Sequence, residues 1–281
     1  MKKLKLKNMF MATAALSATV FALPQTAMAQ AQKLSIDGME IDRSTSADLT
    51  GDWLESGKVH WDAATKTLTL DNATIVSKTS PESLVSITNT DAIICLVGSN
   101  SITNDSYKAI DINACKTTIS GSGSLKTSSS WHDILILANS TLVIEGCEVE
   151  TSTGIGHNSY PYYNHLVVKN ATLKTPEIQY LTTITLTDCH IQSPEGGKII
   201  DYEYSNGSKG QIVVDADGQE FGSGIVIVPD ASTGISRPAA PATAAVQEIH
   251  SLDGRRQTRM RHGVNIVKMN DGTTRKVICR Q

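Results

Sequence analysis

One short phrase of alternating apolar and polar residues recurs along the chain. Its clearest copies are LTLDNATI from Leu68, LVIEGCEV from Leu142, LVVKNATL from Leu166 and ITLTDCHI from Ile184. Looser copies are ICLVGSNSI from Ile94, TTISGSGSL from Thr117 and IVVDADGQEF from Ile212. Successive copies start 26, 23, 25, 24, 18 and 28 residues apart, and such periods are typical of solenoid repeats.

Each copy predicts a strand, a corner and a second strand. Apolar residues two positions apart alternate with polar ones, which is the pattern of a strand with one buried face. Four residues after each start stands a residue type that tolerates a left-handed backbone, and there the chain can turn. These corner residues are Asn72, Gly98, Gly121, Gly146, Asn170 and Asp188.

A second set of alternating runs lies between the copies. The runs are 84–88 (LVSIT), 109–113 (AIDIN), 134–137 (ILIL) and 198–202 (KIIDY). Two or three strands per repeat predict an all-β, single-stranded parallel β-helix, right-handed as parallel connections usually are. Seven levels about 4.8 Å apart would give a rod of roughly 35 Å.

The alternative fold is a leucine-rich-repeat-like solenoid. Its characteristic L-x-L-x-x-(N/C)-x-L phrase overlaps LVIEGCEV and ITLTDCHI. The segments between the copies alternate with period two, however, so they do not indicate helices. The pattern therefore favours the β-helix.

The beginning of the chain has the features of an export signal. Lysines within residues 2–8, an apolar stretch over residues 9–23 and the small-x-small sequence Ala27-Met28-Ala29 predict a signal peptide over residues 1–29. We therefore expect a secreted or outer-surface protein. No later segment is apolar over the roughly 20 residues that a membrane-spanning helix needs, so we expect no transmembrane segment in the mature chain.

The remaining sequence divides by composition. Residues 30–60 lack the phrase and predict an N-terminal cap packed by Trp53 and Trp61, and residues 61–229 hold the repeats. Residues 230–245 form a Pro/Ala-rich linker, and residues 246–281 form a small basic β unit.

Composition narrows the function. Hydrophobic residues make up 40% of the chain and charged residues 19%, which suits a folded protein with a core. The net charge is −3, but the part between the signal and residue 246 holds 25 acidic and 13 basic residues, a formal charge of −12. Such a body repels nucleic acid, so a nucleic-acid partner is excluded.

The C-terminal unit resembles a sorting signal. The matching residues are 249–256 (IHSLDGRR), 263–267 (GVNIV) and 276–278 (KVI). They resemble the C-terminal sorting domains of secreted Bacteroidetes proteins that the type IX secretion route reads. This resemblance implies a bacterial surface protein whose tail contacts the secretion machinery.

The first half of the repeats carries a second resemblance. WDAATKTLTLDNATI (61–75), ICLVGSNSIT (94–103) and TTISGSGSLKT (117–127) look like the β-helical repeats of bacterial surface proteins that are often described as carbohydrate-binding. The resemblance implies a glycan-binding or adhesion module, with a polysaccharide or surface glycan as its partner.

The alternative function is a calcium-dependent polysaccharide lyase or hydrolase that acts on acidic glycans. Asn89-Thr90-Asp91 and Gly156-His157 echo fragments of pectin-hydrolase motifs, but the paired aspartates expected between them are missing. No arginine occurs between Arg43 and Arg237, so a lyase base would have to be a lysine. Candidate bases are Lys126, Lys169 and Lys174. The pattern disfavours catalysis and predicts no catalytic residue.

Two groups of residues are candidate binding sites. Aromatic rings with polar neighbours suit stacking on the apolar face of a sugar. The extended loop GIGHNSYPYYNH (154–165) and its neighbours supply such rings: Trp131, His157, Tyr160, Tyr162, Tyr163, His165 and Tyr180. Carboxylates on one strand face suit calcium, the only cofactor that the sequence suggests, and the candidates are Asp201, Glu203, Asp215 and Asp217.

The cysteines are odd in number. Cys95, Cys115, Cys147, Cys189 and Cys279 make five. Cys147 and Cys189 occupy the same position in repeats two levels apart, about 10 Å, which exceeds the span of a disulfide. We expect buried small residues in stacked positions and no disulfide framework.

Overall fold

A computed structural model of the chain describes residues 31–157, 163–222, 224–230, 246–251, 254–259, 263–269 and 274–279. These residues form β-strands and turns and no helix. The chain divides into two compact units, Met1–Asp230 and Ala231–Gln281. The signal peptide predicted over residues 1–29 and almost all of the predicted linker lie outside the described residues.

The strands of the first unit follow one another with short connections. The first twelve are β1 (Lys33–Ile36), β2 (Met39–Glu40), β3 (Ala47–Leu49), β4 (Leu54–Asp62), β5 (Thr67–Val76), β6 (Ser83–Thr88), β7 (Ala92–Val97), β8 (Ser99–Asn104), β9 (Lys108–Asn113), β10 (Lys116–Gly121), β11 (Ser124–Ser129) and β12 (His132–Leu137). The others are β13 (Thr141–Glu145), β14 (Glu148–Thr151), β15 (Ile155–Gly156), β16 (His165–Lys169), β17 (Thr172–Thr175), β18 (Ile178–Gln179), β19 (Thr183–Thr187), β20 (Cys189–Ser193), β21 (Lys198–Glu203), β22 (Lys209–Val214) and β23 (Ile225–Pro229).

Parallel pairing stacks these strands into a β-solenoid with three faces. Face 1 holds the first half of β5 and then β7, β10, β13, β16 and β19. Face 2 holds the second half of β5 and then β8, β11, β14 and β17. Face 3 holds β6, β9, β12, β15 and β18. The predicted parallel β-helix is confirmed, and strands on all three faces exclude the leucine-rich-repeat alternative.

The core is a ladder of apolar side chains that runs through successive rungs. On face 1, the register aligns side chains that are at most 1% exposed: Leu68, Ile94, Ile119, Ile144 and Val168. Each such burial contributes about 1.5–3 kcal/mol, so the ladder joins the rungs into one cooperative core.

The corner between faces 1 and 2 (corner 1) contains the predicted left-handed residues. All six have positive φ, from 43° at Asn170 to 126° at Gly121. Gly146 lies in register with Asn170, and Asn72 with Gly98, but the two pairs are offset by two residues along the rung. The reason is the pairing of Leu68 and Ile94 with Ile119, not with Thr117. The predicted alignment of the first two copies with the later copies is therefore wrong by two residues.

Antiparallel strands close both ends of the solenoid. At the N-terminal end β1 pairs with β6, and β4 pairs with β5, while Trp53 and Trp61 are 3% and 1% exposed. At the other end β23 pairs antiparallel with β17 and β20. Because an open strand edge is a template for association, these strands protect the stack.

The prediction of a seventh solenoid rung at Ile212 is wrong. The copy at Ile212 forms β22, which pairs antiparallel with β21 in a separate two-stranded sheet. The run 198–202, predicted as a solenoid strand, is the other strand of this hairpin. The parallel stack of face 1 ends at β19.

The second unit is a four-stranded antiparallel sheet. Its strands are β24 (Val246–Ser251), β25 (Arg256–Gln257), β26 (Gly263–Met269) and β27 (Thr274–Cys279), in the order β25-β24-β26-β27. Asn265 and Val267 are buried. Across the described ranges of both units, we find no helix with the length and hydrophobicity that crossing a membrane requires.

The cysteines whose side chains the structure describes are free thiols. Cys115 and Cys147 are buried, and Cys95 and Cys189 are partly buried. Burial raises the pKa of the Cys115 thiol and raises that of Cys147 to about 11. These two buried thiols are therefore unreactive packing residues, as expected for the stacked positions.

Candidate functional site

The corner between faces 2 and 3 (corner 2) brings aromatic and charged side chains together. On successive rungs it is formed by residues 77–82, 105–107, 130–131, 152–154 and 176–177. Face 3 begins immediately afterwards, with Lys108 in one rung and His132 in the next. We call the following six residues the aromatic corner: Glu82, Tyr107, Lys108, Asp111, Trp131 and His132.

Two rings of the aromatic corner are stacked along the solenoid axis. The ring centroids of Tyr107 and Trp131 lie 4.6 Å apart and their planes differ by 14°. The backbone N–H of Trp131 donates to the carbonyl of Tyr107 at 3.2 Å, so the rung spacing itself sets the ring separation. His132 meets Trp131 edge-on, at 4.5 Å and 65°. Both stacked rings remain partly exposed.

A buried lysine links this stack to two carboxylates. The ammonium of Lys108 lies 2.9 Å from Glu82, 3.0 Å from Asp111 and 5.1 Å from the centroid of the Tyr107 ring. Burial opposes the charge of Lys108, but Asp111 and Glu82 outweigh it and hold the lysine pKa above its ordinary value. Burial raises the pKa of Asp111 against the attraction of Lys108. The lysine side chain is 4% exposed, whereas Glu82 is 76% exposed.

Some buried polar atoms of this region have no hydrogen-bond partner among the described residues. They are Oδ1 of Asp111 and Nδ1 of His132. Burial lowers the pKa of His132, and burial together with the nearby His132 lowers the pKa of His157 to about 4. Both imidazoles are therefore neutral near pH 7. Asp133, fully buried, accepts hydrogen bonds from Ser152 and Thr153 and so fixes the next rung of corner 2.

The structure divides the predicted aromatic residues instead of uniting them. Trp131 lies at corner 2 and Tyr163 follows face 3 at its other end, while His157 aligns with Ile136 between them. Because β12 spans six residues, the two ends are about 20 Å apart. His157 is 6% exposed and Tyr163 is 72% exposed. Tyr160 and Tyr162 lie outside the described residues.

His165 and Tyr180 belong to other surroundings. His165 begins β16 on face 1, and its Nδ1 lies 2.8 Å from the hydroxyl of Thr183. Tyr180 stacks on Tyr204 at 4.5 Å, and Tyr202 meets Tyr204 edge-on at 5.0 Å. The Tyr204 hydroxyl accepts the backbone N–H of Tyr180, and burial raises its pKa to about 12. This cluster packs the hairpin of β21 and β22, and neither of the predicted tyrosines that the structure describes, Tyr163 and Tyr180, lies beside Trp131.

The four predicted calcium ligands do not form one site. Asp201 and Glu203 lie on β21, and Asp201 accepts a hydrogen bond from Gln211. Asp215 follows β22 and accepts the backbone N–H groups of Asp217 and Gln219, so it stabilises its own turn. Among the described residues, no group of three or more His, Cys, Asp or Glu side chains is arranged to hold a metal ion.

The three lysines that are candidate lyase bases form salt bridges on the surface. Each of the three lysines is paired with a glutamate at 2.7–3.3 Å: Lys126 with Glu150, Lys169 with Glu145 and Lys174 with Glu148. The glutamate hydrogen bonds raise the pKa of Lys169 and of Lys174. A general base must be deprotonated near its operating pH, so these two lysines are poorly suited to the role.

A groove of about 480 Å³ follows corner 1. Its walls are formed mostly by small residues, including Gly98, Gly123, Gly146 and Ala171, and by the carboxylate of Glu148. It contains no aromatic ring and no basic side chain among the residues that line it. The aromatic corner is therefore the better candidate for recognition.

The sequence analysis missed Tyr107, Lys108, Glu82 and Asp111. A signal for the ring pair was present: Tyr107 and Trp131 each stand one residue before a strand of face 3. Lys108 and His132, the first residues of β9 and β12, are register partners. No family model matches the chain, and no curated protein or solved structure matches it at a significant level.

Proposed function

We propose that this chain is an exported, surface-associated carbohydrate-binding or adhesion module without catalysis of its own. One observation carries the proposal: the parallel stack of Tyr107 and Trp131 beside an exposed carboxylate. Sugar rings have an apolar face of C–H groups and a rim of hydroxyls. The stack offers an aromatic surface for the first, and Glu82 offers hydrogen-bond acceptors for the second.

The end of the stack supports the same proposal. On the rung after Trp131, corner 2 consists of Ser152, Thr153 and Gly154, which have no ring to continue the stack. The Lys108 ammonium lies over the Tyr107 ring, 5.1 Å from its centroid, and helps to fix this ring in place. A platform fixed in this way loses little side-chain entropy when a ligand binds.

Export and the role of the C-terminal unit rest on the sequence patterns. The apolar stretch over residues 9–23 and the small residues before Gln30 support passage through the inner membrane. Surface delivery through the tail is the corresponding proposal for residues 246–281. Protease digestion of intact cells that express the full chain, or a chain ending at Asp230, tests both steps.

A glycan array probed with the full chain tests the binding function. We expect Trp131→Ala to reduce the affinity for any bound glycan about tenfold or more, since a buried stacking contact is worth about 1–3 kcal/mol. Tyr163→Ala removes another exposed ring at the far end of face 3 and is the matched control.

Three outcomes decide the matter. Loss of binding in Trp131→Ala, with Tyr163→Ala unchanged, supports the aromatic corner. Loss in Tyr163→Ala alone would move the site to the loop that contains Tyr160 and Tyr162. Absence of binding to every glycan in the native chain would refute the function.

A further inference from the structure

The charges around the aromatic corner limit the chemistry of its ligand. The ammonium of Lys108 lies over the Tyr107 ring and beside two carboxylates, those of Glu82 and Asp111. Its side chain is 4% exposed. The positive charge of Lys108 is therefore neutralised by carboxylates of the protein, and its ammonium is not accessible to a ligand.

The next cation along corner 2 is engaged as well. The ammonium of Lys78 lies 2.7 Å from Glu55. On the negative side, Glu82 is 76% exposed and Asp105 lies two residues before Tyr107 on the surface. His132 is buried, and its lowered pKa keeps it neutral near pH 7. The exposed groups beside the rings are thus acidic.

The whole solenoid has the same sign of charge. Residues 31–230 hold 25 acidic and 12 basic residues, and Arg43 is the only arginine among the twelve. Recognition of carboxylate or sulfate groups usually relies on arginine, which binds them in a bidentate manner, or on exposed lysines. A polyanion approaching this surface would meet repulsion, and the part of the chain that the structure describes offers it no exposed cation at the rings.

We propose that the aromatic corner takes neutral, hydroxyl-bearing sugar units and rejects uronate-containing and sulfated glycans, an inference that rests on the proposed function. The stacked rings of Trp131 and Tyr107 cover one another's faces, so their exposed edges contact the apolar side of the sugar units. The exposed carboxylate of Glu82, oriented by Lys108, accepts hydrogen bonds from sugar hydroxyls. Ionised acceptors bind hydroxyls more strongly than neutral ones, which makes Glu82 the specificity-determining residue.

Matched polymers test the inference. The full chain is titrated with neutral polysaccharides (dextran, hydroxyethyl cellulose, mannan) and with charged derivatives of the same backbones (dextran sulfate, carboxymethyl cellulose). We expect binding only to neutral polymers, with affinity that changes less than about twofold between about 0.02 and 0.5 M NaCl, since no ion pair with the ligand is involved.

Glu82→Gln separates the carboxylate from the ring platform. We expect it to lower the affinity for the neutral polymer about tenfold, since a hydroxyl binds an ionised carboxylate more strongly than a neutral amide. Glu195→Gln removes another exposed carboxylate, remote in sequence, and should leave affinity unchanged. Thermal unfolding of both variants shows whether the loss of the Lys108 ion pair has altered the fold.

The results distinguish this inference from the function on which it rests. Binding of dextran sulfate or carboxymethyl cellulose that Trp131→Ala abolishes would keep the glycan-binding function and overturn the selectivity. Unchanged neutral binding in folded Glu82→Gln would also overturn it. Absence of binding to any polymer, neutral or charged, would refute both.

Discussion

Acid should destabilise the solenoid through His157, and the size of the effect follows from the structure. His157 is 6% exposed, and burial, with a contribution from His132, lowers its pKa from 6.5 to about 4. Because the folded pKa is depressed, the unfolded chain binds the proton first as pH falls. The stabilisation that comes from keeping His157 neutral is complete above pH 6.5 and is lost progressively as the pH falls to about 4. A shift of this size corresponds to about 3 kcal/mol, with a slope of at most about 1.4 kcal/mol per pH unit.

Urea unfolding of the native chain and of His157→Gln at a series of pH values measures this term as a difference. The difference is needed because Asp111 and Glu177 have raised pKa values. A raised carboxyl pKa contributes stability at low pH that is lost as pH rises, so these groups oppose the histidine in the native profile. His190→Gln, at an exposed position, is the control and should retain the acid loss. Equal pH slopes for the native chain and His157→Gln would refute the argument.

Three further predictions concern the architecture. Gly146→Ala should lower the free energy of unfolding by about 1 kcal/mol, because φ is +66° but nothing lies within 4 Å of the added carbon. Gly156→Ala should lower it by about 4 kcal/mol or more, because its Cβ would lie 1.9 Å from the Gln179 carbonyl oxygen. Chemical denaturation measures both, and equal losses would contradict the steric argument. Asn100→Leu should lower the free energy of unfolding by about 2–4 kcal/mol in the same assay, because the Asn100 side chain is hydrogen-bonded to backbone groups of three rungs at corner 1. An unchanged denaturation midpoint would show that these hydrogen bonds are dispensable. Deleting residues 31–41 removes β1 and β2 and leaves β6 as an open strand edge. Analytical sedimentation should then show concentration-dependent association that the full chain lacks, and unaltered sedimentation would mean that β1 does not protect the edge.

The periodic part of the fold could be predicted from the sequence because one physical requirement repeats in every rung. Each rung buries one side of its strands, so apolar residues alternate, and each must turn at a residue that accepts positive φ. The exact register could not be predicted in the same way. Positive φ occurs at Asn72 in one rung and two positions earlier, relative to the core ladder, at Gly146 in another, because either position can turn the chain.

The end of the solenoid shows a different limit. The runs that form β21 and β22 alternate like solenoid strands, and alternation does not reveal which strand is the partner. The intervening Asn206-Gly207 is a strong local hairpin signal, with φ of +80° at Gly207 and the Asn206 side chain accepting the N–H of Ser208. This turn indicates an antiparallel hairpin, whereas the alternating pattern alone does not.

The candidate site depended on information that no single loop contains. Within single loops, the segment with Tyr160, Tyr162 and Tyr163 is the richest in aromatic residues, so the sequence pattern favours it over corner 2. A parallel solenoid, however, places residues one repeat apart at the separation of stacked rings, since the rung spacing of about 4.8 Å nearly equals the 4.6 Å between Tyr107 and Trp131. Two short loops with one ring each at the same register therefore form a stacked pair that neither loop predicts alone. In such a fold, side chains at the same register in successive rungs are neighbours, although about 24 residues of sequence separate Tyr107 from Trp131.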